Sequence, residues 1–306
     1  MQDAIFAVRA FNRFYTRLIG ALDARFLGLD ISLPEARLLF EIAQGEASLA
    51  QDLQAALDLD GGYLSRLLKG FEARGWIQRE RSAQDGRRRP IRLTPAGREI
   101  FAALDQRQRD AVVELLKDLP PGRRNDLAAA LGAARLLLGD RPAEPHVIRP
   151  IRPGEMSLVA SRQTILYDEM HGWGRGMEPV ELETTAQFLR NFRPGRDQGW
   201  VAELAGTMVG SIFITDEGDG VCRLRLLYVE PTARGRGICE DLVRTCISFA
   251  EATGYARMWL WTHTVLESAR RIYAAHGFVL TEVETHEEFG MPVQGETWWL
   301  DLTVRK

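Results

Sequence analysis

Apolar residues recur at helical spacing through the first 140 positions. Ile5, Phe6, Val8, Phe11, Phe14, Tyr15, Leu18, Ile19, Leu22 and Phe26 form one wide apolar face over residues 4–27. Pro34 opens a second helix through Ile42, where proline suits the first position. Ser48 is the candidate cap of a third, Leu49–Leu57, and Asp60 or Gly61 starts a fourth that runs to Arg74 and closes at Gly75. The third and fourth sit close together across Asp58-Leu59-Asp60, the spacing of a helix-turn-helix. A strand-like run, Trp76–Arg81, and a second, Ile91–Thr94, flank an Asp85-Gly86 turn signal, which predicts a hairpin. Pro95 then opens a helix through Leu116, and residues 123–138 make a last one rich in Ala and Leu.

The pattern changes after Gly139-Asp140-Arg141-Pro142-Ala143-Glu144-Pro145, a seam of chain breakers and mixed charge. Short runs with strand patterning follow: Val147–Arg152, Trp200–Leu204 and Thr207–Ile214 about Ala205-Gly206, Arg223–Val229, Ala256–Thr262, Phe278–Glu284 and Thr297–Val304. Helical stretches are expected at 155–170, 182–192 and 240–253, with His171-Gly172-Trp173-Gly174 read as a loop. The predicted fold class is two domains: a mainly α winged helix-turn-helix over 1–140, then an α/β domain over 146–306 with a mixed central sheet.

Charge and composition separate the halves further. Residues 1–140 carry 21 basic and 19 acidic side chains, a net +2, and residues 141–306 carry 18 and 23, a net −5. Trp173, Trp200, Trp259, Trp261, Trp298 and Trp299 all lie in the second half. No apolar run reaches the ~20 residues of a membrane span. The N-terminus lacks a basic-then-apolar signal, so a cytoplasmic protein is expected. Cys222, Cys239 and Cys246 have no metal-type spacing, so no metal is expected and they read as structural thiols.

Two stretches carry chemistry. Arg87, Arg88 and Arg89 concentrate positive charge at the hairpin tip, where arginines can contact phosphates or enter a minor groove. In the second half, the apolar run Leu226-Leu227-Tyr228-Val229 ends at Glu230-Pro231 and passes through Arg234, Gly235, Arg236, Gly237, Ile238 and Cys239 into a helix. A strand, glycine turn and helix leave backbone N–H groups free at a helix N-terminus, where the dipole favours an anion. Arg234 and Arg236 can add charge-assisted contacts.

The spacing Arg234-x-x-Gly237-x-Cys239 resembles the pyrophosphate-binding turn of the GNAT N-acetyltransferases, and Glu267–Phe278, with Ala269, Tyr273, Gly277 and Phe278, resembles that family's Ala-x-x-x-Tyr-x-x-x-Gly-Phe segment. The resemblance implies acetyl-CoA as acyl donor and an amine acceptor, small molecule or protein lysine, attacking directly. It implies that two parallel strands splay so that Leu227, Tyr228 and Val229 offer main-chain groups to the pantetheine arm, that the Val229 N–H polarises the thioester carbonyl, and that Tyr273 protonates the departing thiolate. Two departures stand out: Cys239 replaces the family's glycine or alanine, and His263 sits near a frequent asparagine. The general base is open among Glu169, Glu203, Glu230 and His171. Trp173, Tyr167, Phe289 and Trp298 are candidates for a substrate pocket or for core, Trp298 and Trp299 more for core.

Residues 1–138 resemble the MarR winged-helix regulators through Leu64-Ser65-Arg66-Leu67-Leu68, Glu72-x-x-Gly75-Trp76-Ile77, and Asp85-Gly86-Arg87-Arg88-Arg89 before Leu93-Thr94-Pro95-Ala96-Gly97. That resemblance implies a recognition helix at 61–74 with Gly62, Tyr63, Ser65, Arg66 and Lys69 toward DNA. It also implies a homodimer through the first helix, the Pro95–Leu116 helix and the helix at 123–138, on a palindromic operator. The alternative from a different class is a DNA-binding regulator whose second half senses acetyl-CoA or a small molecule without turnover.

Overall fold

The computed structural model describes residues 1–23, 25–45, 48–79, 89–289 and 291–303. The chain forms two compact units, Met1–Leu119 and Pro120–Lys306.

The first unit contains α1 (Gln2–Leu18), α2 (Leu33–Ala43), α3 (Ala50–Leu57), α4 (Gly61–Ala73), β1 (Ile77–Arg79), β2 (Ile91–Leu93) and α5 (Pro95–Leu116). Local chemistry sets the boundaries. Ser32 and Glu35 form a reciprocal capping box at the start of α2. Asp58 ends α3 in the left-handed conformation, and Asp60 caps α4 by accepting from the Tyr63 N–H at 2.9 Å. Leu64, Leu68 and Phe71 of α4 are buried with Leu38, Leu39, Ile42 and Leu53, so the two helices are held by a shared core. Gly97 lets α5 approach the chain at Trp76, since a Cβ there would lie 1.9 Å from the Trp76 carbonyl oxygen. Two local expectations change. Ser48 does not cap α3; its backbone pairs with Ile91 in both directions, and Leu49 takes the cap position. The first helix stops at Leu18, ahead of Gly20 at φ +62°. No residue of α1 is buried, so its apolar face, including Phe6, Phe11 and Phe14, is open. β1 and β2 pair antiparallel, Ile77 with Leu93 and Arg79 with Ile91. The predicted tip with Arg87 and Arg88 lies outside the described residues.

The second unit runs α6 (Pro121–Leu137), β3 (Val147–Pro150), α7 (Glu155–His171), α8 (Gly174–Asn191), β4 (Gln198–Leu204), β5 (Thr207–Gly218), β6 (Val221–Val229), α9 (Ile238–Thr253), β7 (Arg257–His263), α10 (Glu267–Ala275), β8 (Val279–His286) and β9 (Val293–Asp301). The sequence reading put α6 with the first domain. Its Leu136 instead joins the core of the sheet, and its Gly132 lies so close to the β4–β5 turn that a Cβ would sit 2.1 Å from the Ala205 carbonyl oxygen. The sheet order is β3-β4-β5-β6-β7-β9-β8, antiparallel throughout except β6 with β7. Alternation on β5 divides the interior. Ile212 and Ile214 meet Leu242, Val243 and Cys246 of α9 on one face, while Phe213 meets Met156, Val159 and Phe188 of α7 and α8 on the other.

One element starts much earlier than its sequence pattern predicted. α8 begins at Gly174, not at 182. Gly174, Gly176 and Pro179 read as breakers, yet both glycines answer close approaches: a Cβ on Gly176 would meet the Phe289 Cα at 2.7 Å, and one on Gly174 the Asp168 carboxylate at 2.3 Å. The longer helix puts a stripe of Met177, Glu181, Thr185 and Phe188 against the interior.

Candidate active site and nucleic-acid surface

The parallel pairing of β6 with β7 is short. Val221, Cys222 and Arg223 pair with Arg257, Met258 and Trp259, and there the ladder stops. Beyond it β6 bulges: Ser211 pairs with Tyr228 and Phe213 with Arg225, so Leu226 and Leu227 oppose Ile212 alone. Leu226 takes φ +52°, and its carbonyl accepts from the Ser211 hydroxyl at 2.7 Å. Glu230 gives its N–H to Val209 of β5 at 2.8 Å. Successive N–H groups of a strand point to opposite edges, so the Val229 N–H is directed at the edge that β7 has left.

At the end of β6 the chain turns through Gly235 and Gly237, both at φ +76° with open space where a Cβ would stand. Only glycine adopts this geometry freely. The turn delivers the N-terminus of the 16-residue helix α9, where the Gly237 carbonyl accepts from Asp241. Among the described residues, the N–H groups of Gly235 through Glu240 have no acceptor. They converge with the helix dipole into a ready anion site.

Two cavities meet at the splay. The first, about 620 Å³, is lined by Leu227, Tyr228, Val229, Arg234, Gly235 and Gly237, and further by Ile238 and Cys239. Eight of the nine predicted donor-binding residues thus share one cavity. Arg236 does not: its guanidinium donates to the Pro142 carbonyl at 2.9 Å, which leaves only its main chain to the turn. The second cavity, about 540 Å³, is bounded by Tyr273, Glu181, Arg223, Arg225, Trp259 and Trp261. Gln163, Tyr167, Leu227, Leu266 and Ala269 border both.

Tyr273 is buried, and its hydroxyl has no hydrogen-bond partner among the described residues. Burial first, and then the neighbouring Cys239 thiol, hold its phenol well above the usual range, so it stays protonated at neutral pH. Burial likewise pushes the Cys239 thiol up to about 11, which makes it a poor nucleophile. The candidate bases are sorted by their partners. Glu230 is held by Arg162 at 2.7 and 2.9 Å, Glu203 by Arg149 at 2.7 Å, and Glu169 is exposed and borders neither cavity. His171 borders the first cavity and stacks on Trp173 at 4.7 Å, with burial lowering its pKa. Trp173 and Phe289 are core, stacked on one another at 4.8 Å, and Trp298 is core as well. Tyr167, in contrast, borders both cavities. His263 is buried and contacts His286 at 3.1 Å; burial and that neighbour lower its pKa to about 4, so it is neutral at pH 7.

The sequence reading missed Glu181. This carboxyl is 3% exposed, its Oε2 is buried without a hydrogen-bond partner, and burial raises its pKa to about 8. The signal was present as an acidic residue in an apolar i, i+4 stripe, but the helix was started one residue too late to see it. Gln163, Arg223 and Arg225 were missed too. The last two are charged positions in a central strand, where both faces are covered.

In the first unit, Gly62, Ser65, Arg66 and Lys69 are exposed on α4 and Tyr63 is half-buried, all away from the face that carries Leu64 and Leu68. The Arg66 guanidinium lies over the Tyr63 ring at 5.7 Å. Arg89, the one described arginine of the predicted tip, is exposed.

A mixed sheet split between two parallel strands, with a glycine turn opening a helix at the split, is the GNAT-like α/β acyltransferase fold. Residues 163–278 match the model of the Acetyltransferase (GNAT) family, and residues 29–88 that of the MarR family. The chain therefore fuses a MarR-family segment to a GNAT-family domain. It is 33% identical over 101 residues to "Probable N-acetyltransferase family 8 member 5" of Mus musculus, covering 31% of this chain and 44% of that protein. It is 37% identical over 82 residues to an uncharacterized N-acetyltransferase of Schizosaccharomyces pombe, covering 26% and 50%. The chain spans about half the length of the first curated relatives it matches. An acetyltransferase of Salmonella typhimurium, solved with its cofactor acetyl-CoA, superposes with a TM-score of 0.41 at 17% identity over 52% of this chain and 95% of that one.

Proposed function

We propose that this chain is an N-acetyltransferase and a DNA-binding regulator in one polypeptide. The observation that carries the first half is the meeting of two cavities at the β6–β7 splay, one of them floored by the acceptor-free N–H groups of residues 235–240. Acetyl-CoA binds with its diphosphate on that turn, helped by Arg234. Its pantetheine arm runs along the free edge of Leu227, Tyr228 and Val229 as an added strand. The Val229 N–H stabilises the oxyanion as the amine nitrogen attacks the thioester carbonyl. The carbon–sulfur bond then breaks, and Tyr273 gives its proton to the sulfur. A phenol held far above its usual pKa suits this step because the thiolate forms in the same dry pocket, where desolvation raises its basicity too.

In the first unit, α4 enters a major groove with Tyr63, Ser65, Arg66 and Lys69, and Gly62 permits close approach to the backbone. Arg87, Arg88 and Arg89 act from the wing. The uncovered apolar faces of α1 and of Val112, Val113 and Leu115 on α5 support a homodimer and hence a palindromic operator.

The test is thiol release from acetyl-CoA with a panel of amines, paired with calorimetry. Amine-dependent release is expected, and Tyr273→Phe should lower kcat by about a hundredfold or more while leaving acetyl-CoA affinity unchanged. Saturable acetyl-CoA binding with no release for any amine would mark the domain as a sensor.

A further inference from the structure

The second cavity holds more unpaired charge than a passive amine channel needs. Arg223 and Arg225 are two apart on β6 and so share a face, opposite the one on which Cys222 and Leu224 enter the core. Both border the cavity, and neither forms an ion pair among the described residues. The Arg223 guanidinium lies 4.1 Å from the centre of the Trp259 ring, on the strand partner of Arg223, and its Nε is buried with no hydrogen-bond partner. Burial depresses the pKa of both guanidinium groups, Arg223 to about 10. Across the cavity, Glu181 of α8 carries an unpartnered buried oxygen within electrostatic reach of Arg225, and Gln163 of α7 carries an unpartnered buried amide nitrogen. Two guanidinium groups without an ion pair, reached only at longer range by Glu217 and, for Arg225, by Glu181, share the cavity with a buried carboxyl oxygen that lacks a hydrogen bond, and such an arrangement is costly in an isolated fold. It is matched by a ligand that brings a carboxylate and an ammonium together.

We infer that the acceptor is an amine bearing its own carboxylate, an amino acid, whose carboxylate is held by Arg223 and Arg225 and whose ammonium meets Glu181 beside the splay. Glu181 takes one proton from the ammonium before attack. The nitrogen then bonds to the acetyl carbon as the carbon–sulfur bond breaks. Tyr273 supplies the sulfur's proton and recovers one from the nitrogen, and Glu181 releases its proton to solvent. Net, the ammonium and thioester become amide, thiol and one proton. The other titratable groups facing this cavity are Tyr167 from α7, His263 from β7, Tyr273 from α10 and, on its exposed rim, Glu284 and Glu288; Glu217 of β5, exposed, acts electrostatically on both arginines.

The inference rests on the acetyltransferase reading, so its test separates the two. The full chain is assayed for thiol release with the standard amino acids, β-alanine and 4-aminobutyrate, each beside its decarboxylated counterpart such as methylamine, ethylamine or propylamine. Amino acids should be preferred, and Arg225→Met should raise their KM by on the order of a hundredfold more than it raises that of the plain amines, which share only its effect on Glu181. Arg225 is half-buried and makes no ion pair among the described residues, so thermal melts of Arg225→Met should match the parent, and Arg225→Lys should recover part of the loss. Glu181→Gln should abolish the rise of kcat/KM through pH ~8, a readout that a purely structural role would not move. Direct calorimetry of the same amino acids into the CoA-loaded protein gives a binding answer independent of turnover. Equal turnover of plain amines, with KM unaffected in Arg225→Met, would overturn the inference and leave the acetyltransferase standing. Absence of saturable binding by every amino acid would overturn it too. Failure of acetyl-CoA itself to bind would instead sink the transferase reading.

Discussion

The turn at Gly237 offers a perturbation whose fold cost and binding cost separate. Gly237→Ala places a methyl group at φ +76°, where an L-residue pays about 1–2 kcal/mol, and nothing else within 4 Å resists it. The Gly237 carbonyl still accepts from Asp241, so α9 keeps its start. The same methyl stands at the wall of the first cavity, on the turn whose N–H groups have no acceptor. Pushing a diphosphate off even one charge-assisted N–H contact costs about 1.5–3 kcal/mol, or roughly 10- to 150-fold in affinity. The assay is calorimetry with acetyl-CoA beside kinetics with acetyl-pantetheine, which lacks the diphosphate. The variant should lose acetyl-CoA affinity by at least about tenfold, while kcat/KM for acetyl-pantetheine stays put. Undiminished acetyl-CoA affinity, or equal losses with both donors, would refute the assignment of this turn to the diphosphate.

Three further outcomes follow from the same structure. His263 has a folded pKa near 4 against an ordinary 6.5, so its contribution to stability is fully present above pH 6.5 and lost as pH falls toward 4. That limb should amount to about 3 kcal/mol in denaturant titrations and flatten in His263→Phe. In α6, Gly132→Ala drives a Cβ into the Ala205 carbonyl and should destabilise by about 1–3 kcal/mol, whereas Gly122→Ala, with open space around it, should stabilise by up to about 1 kcal/mol in thermal melts. Arg66→Ala with Lys69→Ala should weaken DNA binding and flatten its salt dependence; an unchanged salt slope would remove α4 from the phosphate contacts.

Much of this protein was legible in one dimension. The helix-turn-helix declared itself because its caps and turn are local: Asp60 needs only the N–H of Tyr63, and Leu64, Leu68 and Phe71 need only helical spacing to share a face. The glycine turn was legible for the same reason, since a positive φ at Gly235 and Gly237 is a property of the chain where it stands. The second cavity was not. Glu181 joins its lining only because Gly174 and Gly176 close on Asp168 and Phe289, contacts that let a helix run through residues that otherwise break one. Glu203 and Glu230 are ion-paired because Arg149 and Arg162, distant in sequence, reach them. The unit to which α6 belongs was likewise settled by Gly132 against Ala205 and not by its own apolar pattern. Sequence by itself determined what each segment could become, because turns, caps and amphipathic faces are built from near neighbours. Tertiary structure decided which charges ended up without partners and which cavity they share, because pairing and desolvation depend on residues that the chain brings together only when it folds.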